Sequence, residues 1–154
     1  MSFTQSYVHE LQGVLASLDL AKVDQAIDWF RETREGGGTI YLCGNGGSAA
    51  SVSHITCDIV KGCSYLRDKK FRVMALTDNL ATITAYANDV GYEEVFVEQL
   101  RNFATSKDLV LAVSGSGNSP NVVKALEYAR TVPCRTIAFT GRDGGKLAPL
   151  GDLN

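Results

Sequence analysis

A parallel β-sheet covered by helices on both faces is the fold that this 154-residue sequence predicts. Three observations predict it. Four short, continuous apolar runs are spaced along residues 39–139, and strands buried on both faces read this way. Helix-compatible stretches separate the runs. Clusters of glycine and serine follow the first and third runs, at the strand ends where ligands of such sheets bind.

The first 36 residues form a helical pair. Phe3, Tyr7, Leu11, Leu15 and Leu18 recur at steps of three and four, and Val8 and Val14 widen the stripe. Asp19 caps a second stripe of Val23, Ala26, Ile27 and Phe30. These helices either fold back on the domain or pair with another copy of the chain. Residues 39–154 form the core. Thr39–Cys43 is the first strand and ends in Gly44-Asn45-Gly46-Gly47-Ser48, with a helix from Ala49 to about Lys61. Arg72–Leu76 is the second strand, and any of Thr77, Asp78 and Asn79 suits the cap of the next helix. Glu93–Phe103 carries Phe96, Leu100 and Phe103 on one face. Leu109–Val113 leads into Ser114-Gly115-Ser116-Gly117-Asn118-Ser119, where Ser119 caps and Pro120 opens a helix to about Thr131. Thr136–Phe139 is the fourth strand, and Gly141–Lys146 reads as a structural turn.

Composition excludes several classes. Fifteen Lys+Arg against seventeen Asp+Glu leave a net charge of −2, with no basic surplus to clamp nucleic acid. The apolar runs are far shorter than a membrane span, and no secretory leader is evident. The expected location is cytoplasmic. Cys43, Cys57, Cys63 and Cys134 lack Cys-x-x-Cys spacing and read as buried free thiols.

Gly44–Ser48 suits an anion. Glycines let the backbone approach a ligand, and the following helix offers free N–H groups and its positive dipole end. Gly46, Gly47 and Ser48 are the expected contacts. The same loop also fits a dinucleotide fingerprint, with Asp78 as a distant ribose acid. A second cradle of Ser114, Gly115, Ser116 and Ser119 favours one terminal phosphate held by many neutral donors. Gly145-Lys146 lacks the upstream glycine of a P-loop, since Thr140 stands there. His54 and Asp58, four apart on a helix, suit a metal pair or an acid–base pair.

Taken in order, these motifs resemble the sugar isomerase (SIS) domain family, and most closely its phosphoheptose isomerases. The matching pieces are Gly44–Ser48 with His54 downstream, Asn88-Asp89, the Ser114–Ser119 loop, and Thr140-Gly141-x-Asp143-Gly144-Gly145-Lys146. The resemblance implies a flavodoxin-like three-layer sandwich, assembled as a homotetramer with active sites shared between subunits. Ser48, Ser114, Ser116 and Ser119 would then hold the phosphate of a sugar, and Asn45 and Asp89 its hydroxyls. Asp58 stands where the family has its catalytic glutamate, one methylene shorter. His54 and Asp58 match the residues that bind zinc in some members. Lys61-Gly62 stands near where the family has an arginine. A last strand and a C-terminal helix, with a catalytic histidine and further metal ligands, are expected to be missing from residues 1–154. The implied reaction interconverts an aldose and a ketose, here sedoheptulose 7-phosphate and a heptose 7-phosphate, through an enediol. The alternative is a non-catalytic phosphosugar-binding or protein-interaction module of the replication-initiator-associating type.

Overall fold

The computed structural model describes residues 1–154. Two helices, α1 (Phe3–Ala16) and α2 (Leu20–Glu35), precede the first strand. A capping box starts α1: Ser2 Oγ accepts from the Gln5 amide, and Gln5 Oε1 accepts from the Ser2 amide. The Asp19 carboxylate accepts from the Ala21 and Lys22 amides and starts α2, as expected.

Strands β1 (Thr39–Gly44), β2 (Arg72–Ala75), β3 (Leu109–Ser114) and β4 (Arg135–Thr140) form one parallel sheet in the order β2-β1-β3-β4. Registers such as Leu42↔Leu111 and Leu111↔Ile137 align apolar side chains across the strands on a shared face. Leu153 adds a parallel bridge to Ile137 beside β4. Between the strands run α3 (Gly46–Cys57), α4 (Leu80–Asp89), α5 (Val97–Phe103) and α6 (Pro120–Thr131).

The sheet has a packed core on each face, so the chain forms three layers. On one face Tyr41, Cys43, Val110, Ala112 and Ala138 meet Phe96, just before α5, Leu100 of α5, and Val122 and Leu126 of α6. On the other, Ile40, Leu42, Ala75, Leu111 and Ile137 meet Val52 of α3 and the half-buried Trp29 and Phe30 of α2. Buried Asp108 ties the lower ends of the strands together: its carboxylate accepts from the Thr39 amide and from the amide and hydroxyl of Thr105.

Several expectations need correction. The helix after β1 begins at Gly46 rather than Ala49, so Gly46-Gly47-Ser48 is its first turn and not a loop. After Cys57 that helix widens into a π-helical turn, Asp58–Gly62. Residues 93–103 are broken: Tyr92–Glu94 is a 3₁₀ turn, and α5 starts only at Val97. β2 is an edge strand, exposed at Arg72 and Met74. Of the pair that could fold back on the domain, α2 does so and α1 buries no residue, with Phe3 86% exposed. Cys43 and Cys134 are buried, but Cys57 and Cys63 lie on the surface.

Candidate functional site

Neighbouring strands β1 and β3 end side by side, so the two glycine–serine segments that follow them are adjacent at the carboxyl edge of the sheet. Gly46 takes a φ of +53°, which turns the chain from β1 into α3 at no steric cost. Gly117 takes a φ of +65°, and a Cβ there would lie 1.9 Å from the Gly144 carbonyl oxygen. The 141–146 turn therefore buttresses the serine loop. The Leu147 amide donates to Gly117 O at 2.9 Å, and the Lys146 amide donates to Asn118 Oδ1 at 3.2 Å.

Both helices that start here have residues suited to capping, and neither is capped by a side chain. Asn45 occupies the N-cap position of α3 and Ser119 that of α6, yet no side-chain cap hydrogen bond forms at either. Helices α1, α2 and α4 are capped, the last by Asn79, while α5, whose N-cap residue is Phe96, is not. The Ser119 hydroxyl instead lies 3.3 Å from that of Ser114. This corrects the expectation that Ser119 acts as a cap. The Asn45 amide instead pairs with that of Asn121: Asn45 Nδ2 donates to Asn121 Oδ1 at 2.8 Å, and Asn121 Nδ2 donates to Asn45 Oδ1 at 2.9 Å. The first-turn amides of α3 thus stay free of their usual partner, at the positive end of the helix dipole. That is the chemistry of an anion site built from neutral donors.

Beside the cradle lies a cleft of about 460 Å³, lined by Asn45, Ser119, Pro120, Asn121, Tyr92, Glu93 and Lys124. Lys124 pairs with Glu94 and lies 3.8 Å from Glu93. Hydrogen bonding to Glu94 raises its pKa. A larger groove of about 1410 Å³, bounded by Val23, Phe30, Phe71 and Phe139, opens between α2 and the sheet, away from the serines.

The remaining expected residues are placed less tightly. Ser116 is half-buried and accepts from the Asn118 amide within the loop. Gly47 and Gly115 are exposed at the mouth of the cradle. Asp89, at the end of α4, accepts from Asn88 and is not brought against the cradle by any hydrogen bond. Asp78, the acid of the dinucleotide reading, accepts from Ser53 and Thr77.

His54 Nε2 lies 3.4 Å from Asp58 Oδ2, and the two side chains are 77% and 65% exposed. Asp58 stands ten residues along the helix from Ser48, a rise of about 15 Å. Zinc takes three or four protein ligands, and no group of three candidate ligands forms in the chain. In this chain His54 and Asp58 supply two of the ligands that zinc takes.

Asn121, Tyr92 and Lys124 were not among the residues read from sequence. The sequence signal for Asn121 is slight, a polar residue beside Val122 and Val123 in the first turn of a helix, and only the structure shows that it is buried, at 1% exposed.

Residues 5–141 match the SIS domain family. The chain is 40% identical over 129 residues to a phosphoheptose isomerase of Helicobacter pylori, an alignment covering 84% of this chain and 67% of that protein. It is 44% identical over 123 residues to one of Aliarcobacter butzleri, covering 80% and 65%. The chain thus spans about two thirds of the length of these relatives. Among solved structures, the phosphoheptose isomerase of Neisseria gonorrhoeae superposes with a TM-score of 0.85 at 33% identity, covering 97% of this chain and 77% of that one. The Francisella tularensis enzyme superposes at 0.88 with 29% identity, covering 97% and 78%. By the family match over residues 5–141 and by these identities, the chain, with its three-layer parallel sheet, belongs to the SIS domain family, alongside the phosphoheptose isomerases.

Proposed function

We propose that this chain is the sugar-phosphate isomerase unit of a phosphoheptose isomerase, interconverting sedoheptulose 7-phosphate and the corresponding aldoheptose 7-phosphate. One observation carries the reading: α3 and α6 start side by side with their N-cap side chains turned away from capping. A phosphate seated there takes backbone amides of the α3 first turn and the hydroxyls of Ser48, Ser114, Ser116 and Ser119. Asn45 faces the sugar oxygens from the same edge, with Asp89 as a further hydroxyl contact.

The reaction needs a base to take the proton from the carbon beside the carbonyl, and an acid to protonate the carbonyl oxygen. Gripping the phosphate fixes the distant carbons, so binding energy remote from the reaction lowers its barrier. Asp58 is the proposed base. In the single chain its carboxylate is 65% exposed. A site shared between subunits covers it, which is why a homotetramer belongs to the proposal. The exposed apolar stripe of α1 is the surface that supports such assembly. No helix is long and apolar enough to cross a membrane, and a cytoplasmic location belongs to the same proposal.

The solvent exposure of His54 and Asp58 favours a second reading, a non-catalytic phosphosugar-binding module. Asp58→Asn separates the two. Under the isomerase reading it abolishes turnover of sedoheptulose 7-phosphate in a coupled assay, while the dissociation constant changes by less than about threefold. Wild-type protein that binds the sugar phosphate without turning it over supports the binding module.

A further inference from the structure

Asn45 makes three hydrogen bonds through its side-chain amide, and their directions are determined by a single backbone group. The Val122 amide donates to Asn121 Oδ1 at 3.0 Å. A backbone N–H cannot accept, so the oxygen of Asn121 must face it. The Asn121 nitrogen is then turned toward Asn45 and donates to Asn45 Oδ1 at 2.9 Å, while Asn45 Nδ2 donates back at 2.8 Å. The Tyr92 hydroxyl also donates to Asn45 Oδ1, at 3.0 Å. An amide side chain has two acceptor and two donor positions. Both lone pairs of Asn45 Oδ1 and one N–H are therefore used. One N–H of Nδ2 is left, on a residue that lines the cleft.

We infer that Asn121 and Tyr92 are positioning residues that hold the Asn45 amide in one direction, so that the site offers the sugar an N–H donor and not a carbonyl. The inference deepens the isomerase reading and rests on it for the identity of the ligand. Asn121 sets the direction, because its own orientation is dictated by Val122. Tyr92 holds the position only, since a hydroxyl could equally accept from a reversed amide. A donor fixed in this way selects an oxygen that accepts at that point, such as the carbonyl of an open-chain sugar or the oxyanion that develops from it. An orientation error of this kind can cost roughly 10²-fold in rate.

The test is a double-mutant cycle in kcat/KM for sedoheptulose 7-phosphate, with thermal unfolding measured alongside. Asn121→Ala is expected to lower kcat/KM by about tenfold or more, and Tyr92→Phe by less. In an Asn45→Ala background, adding Asn121→Ala should change kcat/KM by less than about twofold, while its effect on Tm persists. A residue that only supports the fold would lower both quantities equally in both backgrounds, and that result overturns the inference. If Asn121→Ala does not fold, the cycle of Tyr92→Phe with Asn45→Ala decides by the same criterion. NMR of the Asn45 side-chain amide in 15N-labelled protein gives a readout that needs no substrate. Two well-separated proton signals in the wild type, drawn together in Asn121→Ala or Tyr92→Phe, support the network; unchanged signals overturn it. Loss of the isomerase reading would show as wild-type protein without turnover, and the NMR result would still stand on its own.

Discussion

Cys43 lies near the carboxyl end of β1, two residues from Asn45, and is wholly buried in the core. Desolvation pushes its thiol up to about 12, and burial assisted by the Asp108 charge pushes Cys134 up to about 11. Both stay neutral at physiological pH, so neither is a nucleophile. The prediction at this scale is a reactivity split. At pH 8 an aromatic disulfide reagent should titrate Cys57 and Cys63 at once and reach Cys43 and Cys134 only on unfolding. The linkage has a definite sign. The unfolded Cys43 thiol ionises near 9.0 and the folded one near 12, so above pH 9 the unfolded state releases its proton first. Stability contributed by the neutral buried thiol is present below pH 9 and declines as pH rises toward 12. Urea midpoints measured from pH 8 to pH 10.5 check this, with Cys43→Ala flattening the slope.

At the scale of single elements, α1 is the outlier. It has a complete capping box and an apolar stripe, yet buries nothing against its own chain. A 14-residue helix is marginal on its own in water, and its order usually comes from packing an apolar face. Burying one leucine contributes about 1.5–3 kcal/mol, so replacing Leu11 and Leu15 with glutamate should weaken assembly by roughly a hundredfold or more. Light scattering on a sizing column is expected to show dissociation to smaller species with unchanged circular dichroism of the core. Isomerase activity should fall in parallel, because the proposed site is shared. An unchanged mass would contradict the role of α1 in the proposed assembly. The sequence showed which face of α1 is apolar, but periodicity says nothing about what covers that face. The capping of α2 was legible because Asp19 acts on amides only two and three residues away. The helix start at Gly46 was not, because glycines read as loop and their first-turn role depends on the φ of +53°.

Across the whole molecule, what was legible divides by distance along the chain. The parallel sheet could be read because each strand is a short, largely apolar run followed by a helix, but the order β2-β1-β3-β4 could not, because it depends on pairings between distant segments. The two serine-bearing segments could be placed on one edge because a parallel sheet puts all strand ends together. The partners that set the site's polarity could not. Asn45 and Asn121 are 76 residues apart, and Tyr92 is 47 from Asn45. Ser119 was read as a cap from local chemistry, whereas the fold sets its hydroxyl against Ser114. The shared consequence is an α3 start with free first-turn amides beside the serine hydroxyls, where β1 and β3 end. Calorimetric titration of sedoheptulose 7-phosphate against sedoheptulose tests that most directly. Tight binding of the phosphate ester, weakened at least tenfold by Ser116→Ala and absent for the free sugar, is the predicted result. Equal affinity for the two sugars, unaffected by that substitution, would contradict it.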